Sequence, residues 1–184
     1  MIQTVRNREK APMSSEEIVT IVDEHNRVIG SAPRRVMRAE RLIHRATYIL
    51  VFNSGGEIFV QERTTTKDIY PGYLDVAAGG VVQAGESYQT AALRELEEEL
   101  GVRAEHLERQ FDIFYQAPNN RVWGRVFSCI HEGPFRLQPE EVASGRFMDP
   151  RLVLTPDETR RFTPDGIEIL ARYLADRTAS GACD

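Results

Sequence analysis

The sequence lacks three features that mark special classes of protein. No run of apolar residues approaches the roughly 18 that a membrane-spanning helix needs, so a membrane span is excluded. Only two of the 184 residues are cysteines, which is too few for a disulfide framework and favours a reducing, cytoplasmic compartment. Basic residues are not in excess, because 23 Lys and Arg face 28 Asp and Glu. A general nucleic-acid binder is therefore not expected.

The remaining composition is that of an ordinary globular domain. Hydrophobic residues make up 41% of the chain and charged residues 28%, and both values are typical of a folded protein. The length suits one domain. The polar first segment has no apolar core of the kind found in signal peptides. We therefore expect a loosely ordered arm at residues 1–15, a single domain at 16–176 and a short tail at 177–184.

Short β-rich runs separated by turn signals occupy much of the chain. The patterns predict strands at 18–22, 28–29, 46–52, 57–62, 111–115, 122–130 and 146–148. Helical spacing of apolar residues predicts helices at 33–39, 87–100, 156–162 and 165–175. Hairpins outnumber regular strand–helix alternations, so the expected fold class is α+β, a layered α/β/α domain around a mixed β-sheet.

The segment from Gly80 to Val102 carries the sharpest pattern in the sequence. Its apolar residues recur at spacings of three and four, which predicts an amphipathic helix over 87–100. Ser87 suits the N-cap of this helix, and Gly101 suits the left-handed position that ends it. The segment also contains five glutamates and one arginine, so most of the net charge of −5 is concentrated there.

Three of these glutamates fall on one side of the predicted helix. Glu98 and Glu99 follow Glu95 by three and four residues, so the three carboxylates lie within an arc of roughly 100°. Uncompensated like charges at these spacings cost a few tenths of a kcal/mol per pair. A run of glutamates on a helix is usually a solvated face. A hard divalent cation such as Mg²⁺, bound between the carboxylates, is the functional alternative.

The spacing of the whole segment resembles the Nudix box. In that motif a Gly is followed after five residues by Glu and, after seven more, by Arg-Glu-U-x-Glu-Glu-x-Gly-U, where U is aliphatic. Every defined position is filled here, by Gly80, Glu86, Arg94, Glu95, Leu96, Glu98, Glu99, Gly101 and Val102. The resemblance implies a Nudix-type α/β/α sandwich. It also implies metal-dependent hydrolysis of the diphosphate bond in a nucleoside diphosphate linked to another group.

The resemblance further implies a role for each polar residue of the box. In the family this segment binds a divalent metal, Mg²⁺ or Mn²⁺. Glu98 and Glu99 are then the expected main ligands, and Glu95 is a ligand or the residue that positions a water. The Gly80 carbonyl would complete the inner set, with Glu86 as an outer ligand or structural support. Arg94 would orient Glu95 by a charge-assisted hydrogen bond.

Residues outside the box are candidates for the remaining roles. A further glutamate often serves the family as ligand or base, and Glu141 is the first candidate here, with Glu140 second. The substrate-binding candidates are Arg63, Lys67, Tyr70 and Trp123, since Arg and Lys hold phosphates and an aromatic ring can stack on a base. Trp123 could equally belong to the core. A local basic cluster, which is either a solvated helix face or a phosphate-positioning patch, comprises Arg34, Arg35, Arg38 and Arg41.

The flanks of the box resemble a narrower branch, the isopentenyl diphosphate isomerase-like Nudix proteins. The matching pieces are His44-Arg45-Ala46, Gln61-Glu62-Arg63 and Tyr70-Pro71-Gly72. True isomerases need a Cys and a metal-binding His in the loop after the Pro-Gly pair, and residues 73–81 contain neither. Their box is also degraded, whereas this one is intact. Both departures favour a hydrolase over an isomerase.

Two further questions stay open in the sequence. A non-catalytic Nudix domain that binds a nucleotide as a regulator is a third function, although such domains typically lose box carboxylates and none is missing here. His44 is either a hydrogen-bonded structural residue, which is the commoner case, or a leftover metal ligand. The expected partner is a small diphosphate, most simply a nucleotide derivative. A homodimer is compatible with the sequence, which does not itself define the oligomeric state.

Overall fold

A β-sheet covered by helices forms the framework of the structure, a computed structural model that describes residues 16–155, 157 and 161–180. The strands, in chain order, are β1 (Ile18–Val22), β2 (Val28–Pro33), β3 (His44–Phe52), β4 (Ile58–Arg63), β5 (Leu74–Asp75), β6 (Ala77–Ala78), β7 (Glu108–Ala117), β8 (Asn120–Ile130) and β9 (Val142–Met148). The helices described are α1 (Arg34–Ala39), α2 (Tyr88–Leu100), α3 (Pro150–Val153) and α4 (Pro164–Ser180).

The sheet is mixed, as the sequence predicts. Strand β3 pairs in parallel with β8 along its whole length, from His44 opposite Val122 to Phe52 opposite Ile130. Most other pairings are antiparallel, among them β7 with β8 and β4 with β9. A parallel pair needs a long connection between its strands. The segment that contains α2 is part of this connection, which brings the glutamate-rich helix next to the central strand.

Helices cover both faces of the sheet. Successive side chains of a strand point to opposite faces, so Ile49 and Leu50 of β3 enter different halves of the core. Ile49 packs in one cluster with Leu96 of α2, and Leu50 packs in another with Leu170 of α4. All four side chains are completely buried. This arrangement confirms the predicted α+β fold class and its α/β/α layers.

Helix α2 begins and ends where its sequence predicts. The Ser87 hydroxyl accepts a hydrogen bond from the backbone N–H of Thr90 at 3.1 Å, which satisfies one of the free donors of the first turn. Gly101 follows the helix with a φ of 69°, in the left-handed region that favours glycine. A Cβ at Gly101 would also stand 2.7 Å from the Cβ of Arg136. The glycine is therefore required both by its φ and by the close neighbour.

Most differences from the sequence prediction lie at the ends of elements, and three short elements, β5, β6 and α3, have no counterpart in it. Each predicted strand has an observed counterpart, but β9 begins at Val142 rather than 146. Its ladder with β4 pairs Gly145 with Gln61, and such pairing outweighs the weak strand preference of this segment. Helix α3 was not predicted from the sequence. It is capped by Asp149, whose carboxylate accepts from the Arg151 N–H at 2.8 Å.

Some predictions near the ends of the chain concern residues that the structure does not describe. The predicted arm at 1–15 lies outside them, as does most of the helix predicted at 156–162. Helix α4 continues to Ser180, past the predicted helix end at 175 and through the start of the predicted tail. Its last turns are held by the Arg177 guanidinium, which donates to the Tyr173 hydroxyl at 3.2 Å. Among the described helices, none is long and apolar enough to cross a membrane.

The packing of α2 on the sheet predicts unequal effects of two leucine truncations in the same helix. Leu96 is completely buried, whereas Leu93 is only partly buried at the edge of the same cluster. We expect Leu96→Ala to lower the free energy of unfolding by about 3 kcal/mol, through lost burial and the cavity that remains. Leu93→Ala should cost less than half as much. Chemical denaturation followed by circular dichroism measures both, and equal losses would contradict this packing.

Candidate active site

The glutamates of α2 do not form a solvated face. Glu95 and Glu99 are each only 1% exposed and point toward the sheet. Glu98 is half-buried, and only Glu97 of the run is exposed. Burying a charged carboxylate costs several kcal/mol unless hydrogen bonds or opposite charges compensate. The partners of Glu95 and Glu99 therefore determine what this cluster can do.

A pair of glycines lets the backbone of the sheet approach the two buried carboxylates. The Gly79 N–H donates to Glu99 Oε2 at 3.0 Å, and the Gln61 amide donates to the same oxygen at 3.4 Å. A Cβ at Gly80 would stand 2.7 Å from the carboxyl carbon of Glu95. The Gly80 carbonyl accepts the Thr47 N–H at 2.9 Å, which occupies one of its two lone pairs.

Arg94 holds three glutamates of the box together. Its guanidinium donates to Glu86 at 2.9 and 3.0 Å and to Glu95 at 2.6 Å. It also reaches Glu98 at 3.3 Å and the Val81 carbonyl at 3.3 Å. Burial alone would lower the pKa of Arg94, but Glu86 and Glu95 raise it above its ordinary value. Arg94 is therefore charged and is positioned to orient Glu95.

A second cation enters the cluster from the segment between β4 and β5. The Lys67 ammonium donates to Glu99 Oε1 at 3.1 Å and also contacts the Glu141 carboxylate. Burial would lower the pKa of Lys67, but Glu99 and Glu141 raise it overall. Glu141 is 6% exposed, whereas Glu140 is exposed to solvent. Of the two glutamates considered outside the box, the structure brings only Glu141 to the cluster.

The electrostatics of the cluster suit a further cation. Burial, with added repulsion from Glu99 and Glu141, raises the pKa of Glu95 to about 8. Burial also raises the pKa of Glu141. Among the described residues, the five carboxylates of Glu86, Glu95, Glu98, Glu99 and Glu141 form ion pairs with the two cations Arg94 and Lys67.

The donor chemistry of this cluster fits a hard divalent metal. Carboxylate and carbonyl oxygens are the ligands that Mg²⁺ prefers, and the Lys67 ammonium already places a positive charge between Glu99 and Glu141. In the described part of the chain, no three acidic, histidine or cysteine side chains already stand in position to hold an ion. Binding a metal therefore requires these side chains, and Lys67 with them, to rearrange.

A pocket with a free volume of about 680 Å³, including its open mouth, adjoins the carboxylate cluster at Gly79 and Gly80. Three of the substrate-binding candidates from the sequence line it, namely Arg63, Lys67 and Tyr70. Arg63 is held by Asp75 at 3.1 Å and by the carbonyls of Ile69 and Tyr70. The pocket therefore places side chains suited to phosphate binding next to the carboxylates of the box.

Trp123, the fourth substrate-binding candidate, is not brought to this pocket. Its neighbour Val122 lines the pocket, and successive residues of a strand point to opposite faces. Trp123 instead stacks on Phe114, with 5.1 Å between the ring centroids. Its backbone carbonyl accepts a hydrogen bond from Tyr88 of α2 at 3.1 Å. Trp123 is therefore half-buried on the α2 side of the sheet, outside this pocket and outside the fully buried core.

The structure divides the basic cluster of the sequence analysis and adds two acidic residues to the pocket. Arg34 and Arg38, which are four residues apart on α1, both line the pocket, whereas Arg35 lies on the outer side and pairs with Glu16. The spacing of four was a usable signal. The acidic residues Asp75 and Asp165 also line the pocket, and no local pattern indicated them.

His44 lies in the wall of the same pocket as a buried, hydrogen-bonded residue. Its Nδ1 is 3.1 Å from the Leu42 carbonyl, so the neutral ring donates there. Burial, together with the positive charge of Arg38, lowers the pKa of His44 to about 3. These contacts support the structural interpretation of His44.

A family model supplies the decisive comparison: the NUDIX domain model matches residues 42–172. The chain belongs to the Nudix domain family. A Nudix hydrolase of Pseudomonas aeruginosa, PA4841, is 48% identical over 161 residues, which cover 88% of this chain and 95% of that protein. The Nudix hydrolase YfcD of Escherichia coli is 45% identical over 166 residues, covering 90% of this chain and 91% of YfcD.

Solved structures agree with this Nudix assignment. DR0079 of Deinococcus radiodurans matches with a TM-score of 0.71 and 26% identity, covering 85% of this chain and 99% of that one. The Nudix domain of Shewanella oneidensis NrtR, solved with ADP ribose, matches with a TM-score of 0.57. At 13% identity, over 74% of this chain and 87% of that one, the NrtR likeness concerns the fold alone.

The buried position of Lys67 predicts a stability defect that depends on metal. In the metal-free Nudix protein, Lys67→Met should lower the free energy of unfolding by about 3 kcal/mol, because two buried carboxylates lose their cation. Arg35→Met removes an exposed ion pair instead and should cost less than about 1 kcal/mol. Urea denaturation with and without Mg²⁺ measures the free energy of unfolding of each variant. Mg²⁺ should reduce the loss of stability in Lys67→Met. Equal losses in both variants would contradict the buried pair.

The low pKa of His44 predicts a loss of stability in mild acid. The unfolded chain binds a proton at this residue below about pH 6.5, whereas the folded protein resists protonation down to about pH 3. The contribution of neutral His44 to the free energy of unfolding is therefore lost as the pH falls through that range. The loss is about 2 kcal/mol between pH 7 and pH 5. His44→Gln should remove this share of the pH dependence. Urea denaturation of both proteins at the two pH values decides the point.

Proposed function

We propose that this Nudix protein is a metal-dependent hydrolase that cleaves the diphosphate bond in a nucleoside diphosphate linked to another group. One observation supports this proposal most directly. The buried carboxylates Glu95, Glu99 and Glu141 stand beside a pocket whose lining includes four basic side chains. Basic side chains hold phosphates, and buried carboxylates hold hard cations.

The metal would be held by residues of the box. The proposed main ligands are Glu98 and Glu99, with Glu95 as a ligand or as the residue that positions a water. The Gly80 carbonyl and Glu86 complete the proposed set. When bound, Mg²⁺ or Mn²⁺ neutralises phosphate oxygens and lowers the pKa of a water molecule.

The chain's own residues would do the remaining work. Arg63 and Arg38, at the pocket wall, bind and orient the phosphate oxygens. Arg94 keeps Glu95 in place through the 2.6 Å hydrogen bond described above. A water oxygen forms a new bond to one phosphorus while the bridging P–O bond breaks. Glu141 accepts the proton of that water, since it is buried beside the cluster and outside the box.

The geometry at Gly79 argues against the isomerase alternative. An isomerase of this branch would need a thiol in the loop that contains Gly79. A Cβ at Gly79 would stand 2.0 Å from the Thr47 carbonyl oxygen, so a side chain has no room there. The half-buried Cys129 lines a different pocket, and burial raises the pKa of its thiol to about 11. We therefore rank hydrolysis above isomerisation.

A regulatory domain without catalysis is the third function. NrtR, whose Nudix domain was solved with ADP ribose, makes a nucleotide derivative a reasonable ligand here as well. The complete set of box carboxylates favours an enzyme over a pure sensor. The low cysteine content favours the cytoplasm, and the proposed partner is a small molecule. A homodimer stays a prediction, and size-exclusion chromatography with light scattering measures it.

The test of the proposed function is a pair of matched substitutions in α2. Glu98→Gln should reduce metal-dependent hydrolysis by about 100-fold or more, because a proposed ligand loses its charge. Glu97→Gln changes the adjacent residue, which is exposed and pairs with Arg103, and should leave turnover within about twofold. Hydrolysis is measured with Mg²⁺ and Mn²⁺ on nucleoside triphosphates, nucleotide sugars, dinucleotides and prenyl diphosphates. Unchanged turnover in Glu98→Gln would contradict the assignment of Glu98 as a metal ligand.

A further inference from the structure

The segment between β4 and β5 crosses the site as a strap. We give the name strap to residues 64–73, which contain neither a helix nor a strand. At its start, the Thr64 N–H donates to the Glu141 carbonyl at 3.1 Å. Near its end, the hydroxyls of Tyr70 and Tyr115 are 3.1 Å apart, within hydrogen-bond distance. Both ends are therefore tied to neighbouring elements, so the middle can change position without releasing them.

Two ion pairs connect the middle of the strap to the rest of the fold. The Lys67 ammonium pairs with Glu99 at 3.1 Å and also contacts Glu141. The Asp68 carboxylate accepts from the Arg34 guanidinium of helix α1 at 3.2 Å. The Lys67 and Arg34 side chains are each 9% exposed. Because these contacts are electrostatic, a cation that competes for Glu99 can break the first pair.

Three of these side chains separate two pockets. Arg34, Lys67 and Asp68 line both the pocket described above and a second pocket. The second pocket has a free volume of about 1030 Å³, including its open mouth. It is otherwise lined by Thr64, Thr66, Pro139, Glu140 and Glu141. Lys67 therefore stands in the wall between two cavities, and its withdrawal would join them.

The partners of Lys67 are the groups that the proposed hydrolysis needs. Glu99 is a proposed metal ligand, but one of its oxygens accepts from Lys67 and the other from the Gly79 N–H at 3.0 Å. Glu141 is the proposed proton acceptor, and its carboxylate contacts the same ammonium. Lys67 must therefore leave both carboxylates before they can take these roles.

A displaced Lys67 would need a new partner, since a buried ammonium without one is very costly. Lysine carries its charge on a flexible four-carbon stem with rotatable donors, so it can change partners. Lys67 already lines the pocket that also contains Arg38 and Arg63, which are the proposed phosphate-binding residues. A phosphate oxygen in that pocket is therefore a partner that fits.

We propose that Lys67 is a gate, which closes on Glu99 and Glu141 in the metal-free protein and passes to a phosphate oxygen of the substrate once a divalent metal is bound. This inference rests on the proposed function, which supplies both the metal and the phosphate. Metal and phosphate then strengthen each other's binding, and this coupling is reciprocal. The substrate enters a site in which the two pockets are continuous and Glu141 is free to accept a proton.

The first experiment measures metal affinity, because Lys67 should compete with the metal for Glu99. Binding of Mn²⁺ is followed by calorimetry, without phosphate, in the wild-type protein and in Lys67→Met. The variant should bind Mn²⁺ about tenfold more tightly. Arg103→Met makes the same change of charge but removes an exposed ion pair with Glu97 of helix α2, and its affinity should stay within about twofold of the wild type. Equal Mn²⁺ affinity in the wild type and Lys67→Met would overturn the gate.

The second experiment measures the transfer of Lys67 to phosphate. Calorimetric titration with inorganic phosphate is carried out without metal and at a constant concentration of free Mg²⁺. Lys67→Met should weaken phosphate binding by about tenfold when Mg²⁺ is present, and by less than about twofold when it is absent. Equal weakening under both conditions would show an ordinary phosphate-binding lysine and would refute the transfer.

Chemical labelling tests the gate in the unaltered protein. The sequence contains two lysines, Lys10 and Lys67, so acetylation by an amine-reactive ester can be followed at each one by mass spectrometry. Without phosphate present, Mg²⁺ should speed the acetylation of Lys67 by about tenfold relative to Lys10, because the amine leaves its two carboxylates. An unchanged or slower reaction at Lys67 would contradict the gate. This measurement decides the matter should Lys67→Met fail to fold.

The gate and the proposed function can fail separately. Hydrolysis by the wild-type protein is followed in parallel on the compounds named for the proposed function. Tighter Mn²⁺ binding by Lys67→Met, without hydrolysis of any compound by the wild type, would refute the proposed function and leave the gate supported. Hydrolysis together with equal Mn²⁺ affinity in the two proteins would overturn the gate alone.

Discussion

The close approach of the Gly79–Gly80 backbone to two buried carboxylates is the contact on which the rest of the site depends. Glu95 and Glu99 lie in the interface between helix α2 and the sheet, at 1% exposure each, where an uncompensated charge is very costly. A backbone N–H, a glutamine amide and the Arg94 and Lys67 cations meet these carboxylates. A side chain at Gly80 would collide with Glu95. Because the glycines have no side chains, they leave room for buried carboxylates in this interface.

That contact also explains why the central strand matters for function. Thr47 of β3 donates its N–H to the Gly80 carbonyl and belongs to the lining of the pocket, so one residue links the sheet, the box and the pocket. The next core positions, Ile49 and Leu50, anchor the strand in the two hydrophobic clusters. A rigid strand buried on both sides is a better support for a binding site than a loop. The rearrangement that the proposed metal site requires would then fall to side chains such as Lys67.

Much of the helix and its box could be predicted because the signals are local. The cap at Ser87, the glycine at 101 and the apolar spacing all act within one helix, and the structure has them where expected. Other features depend on tertiary contacts. Strand periodicity shows that Trp123 and Val122 point apart, but it does not tell which of them meets the pocket. Asp165 reaches the pocket from a distant part of the chain, and nothing in its own neighbourhood indicates this. Lys67 is a predicted phosphate-binding residue, but its pairing with Glu99 and Glu141 depends on tertiary contacts.

Much of the net negative charge of the chain is concentrated at the site. The box carries four more negative than positive charges, and the structure adds Glu141 and Lys67 to its inner side. A pKa of about 8 keeps Glu95 protonated at neutral pH in the metal-free protein, and four carboxylates still face two cations. Burial is the main cause of this elevated pKa, and repulsion from Glu99 and Glu141 adds to it. A divalent ion nearby would favour the ionised form. A metal at the proposed site would compete with that proton, so its affinity there would rise with pH across this range.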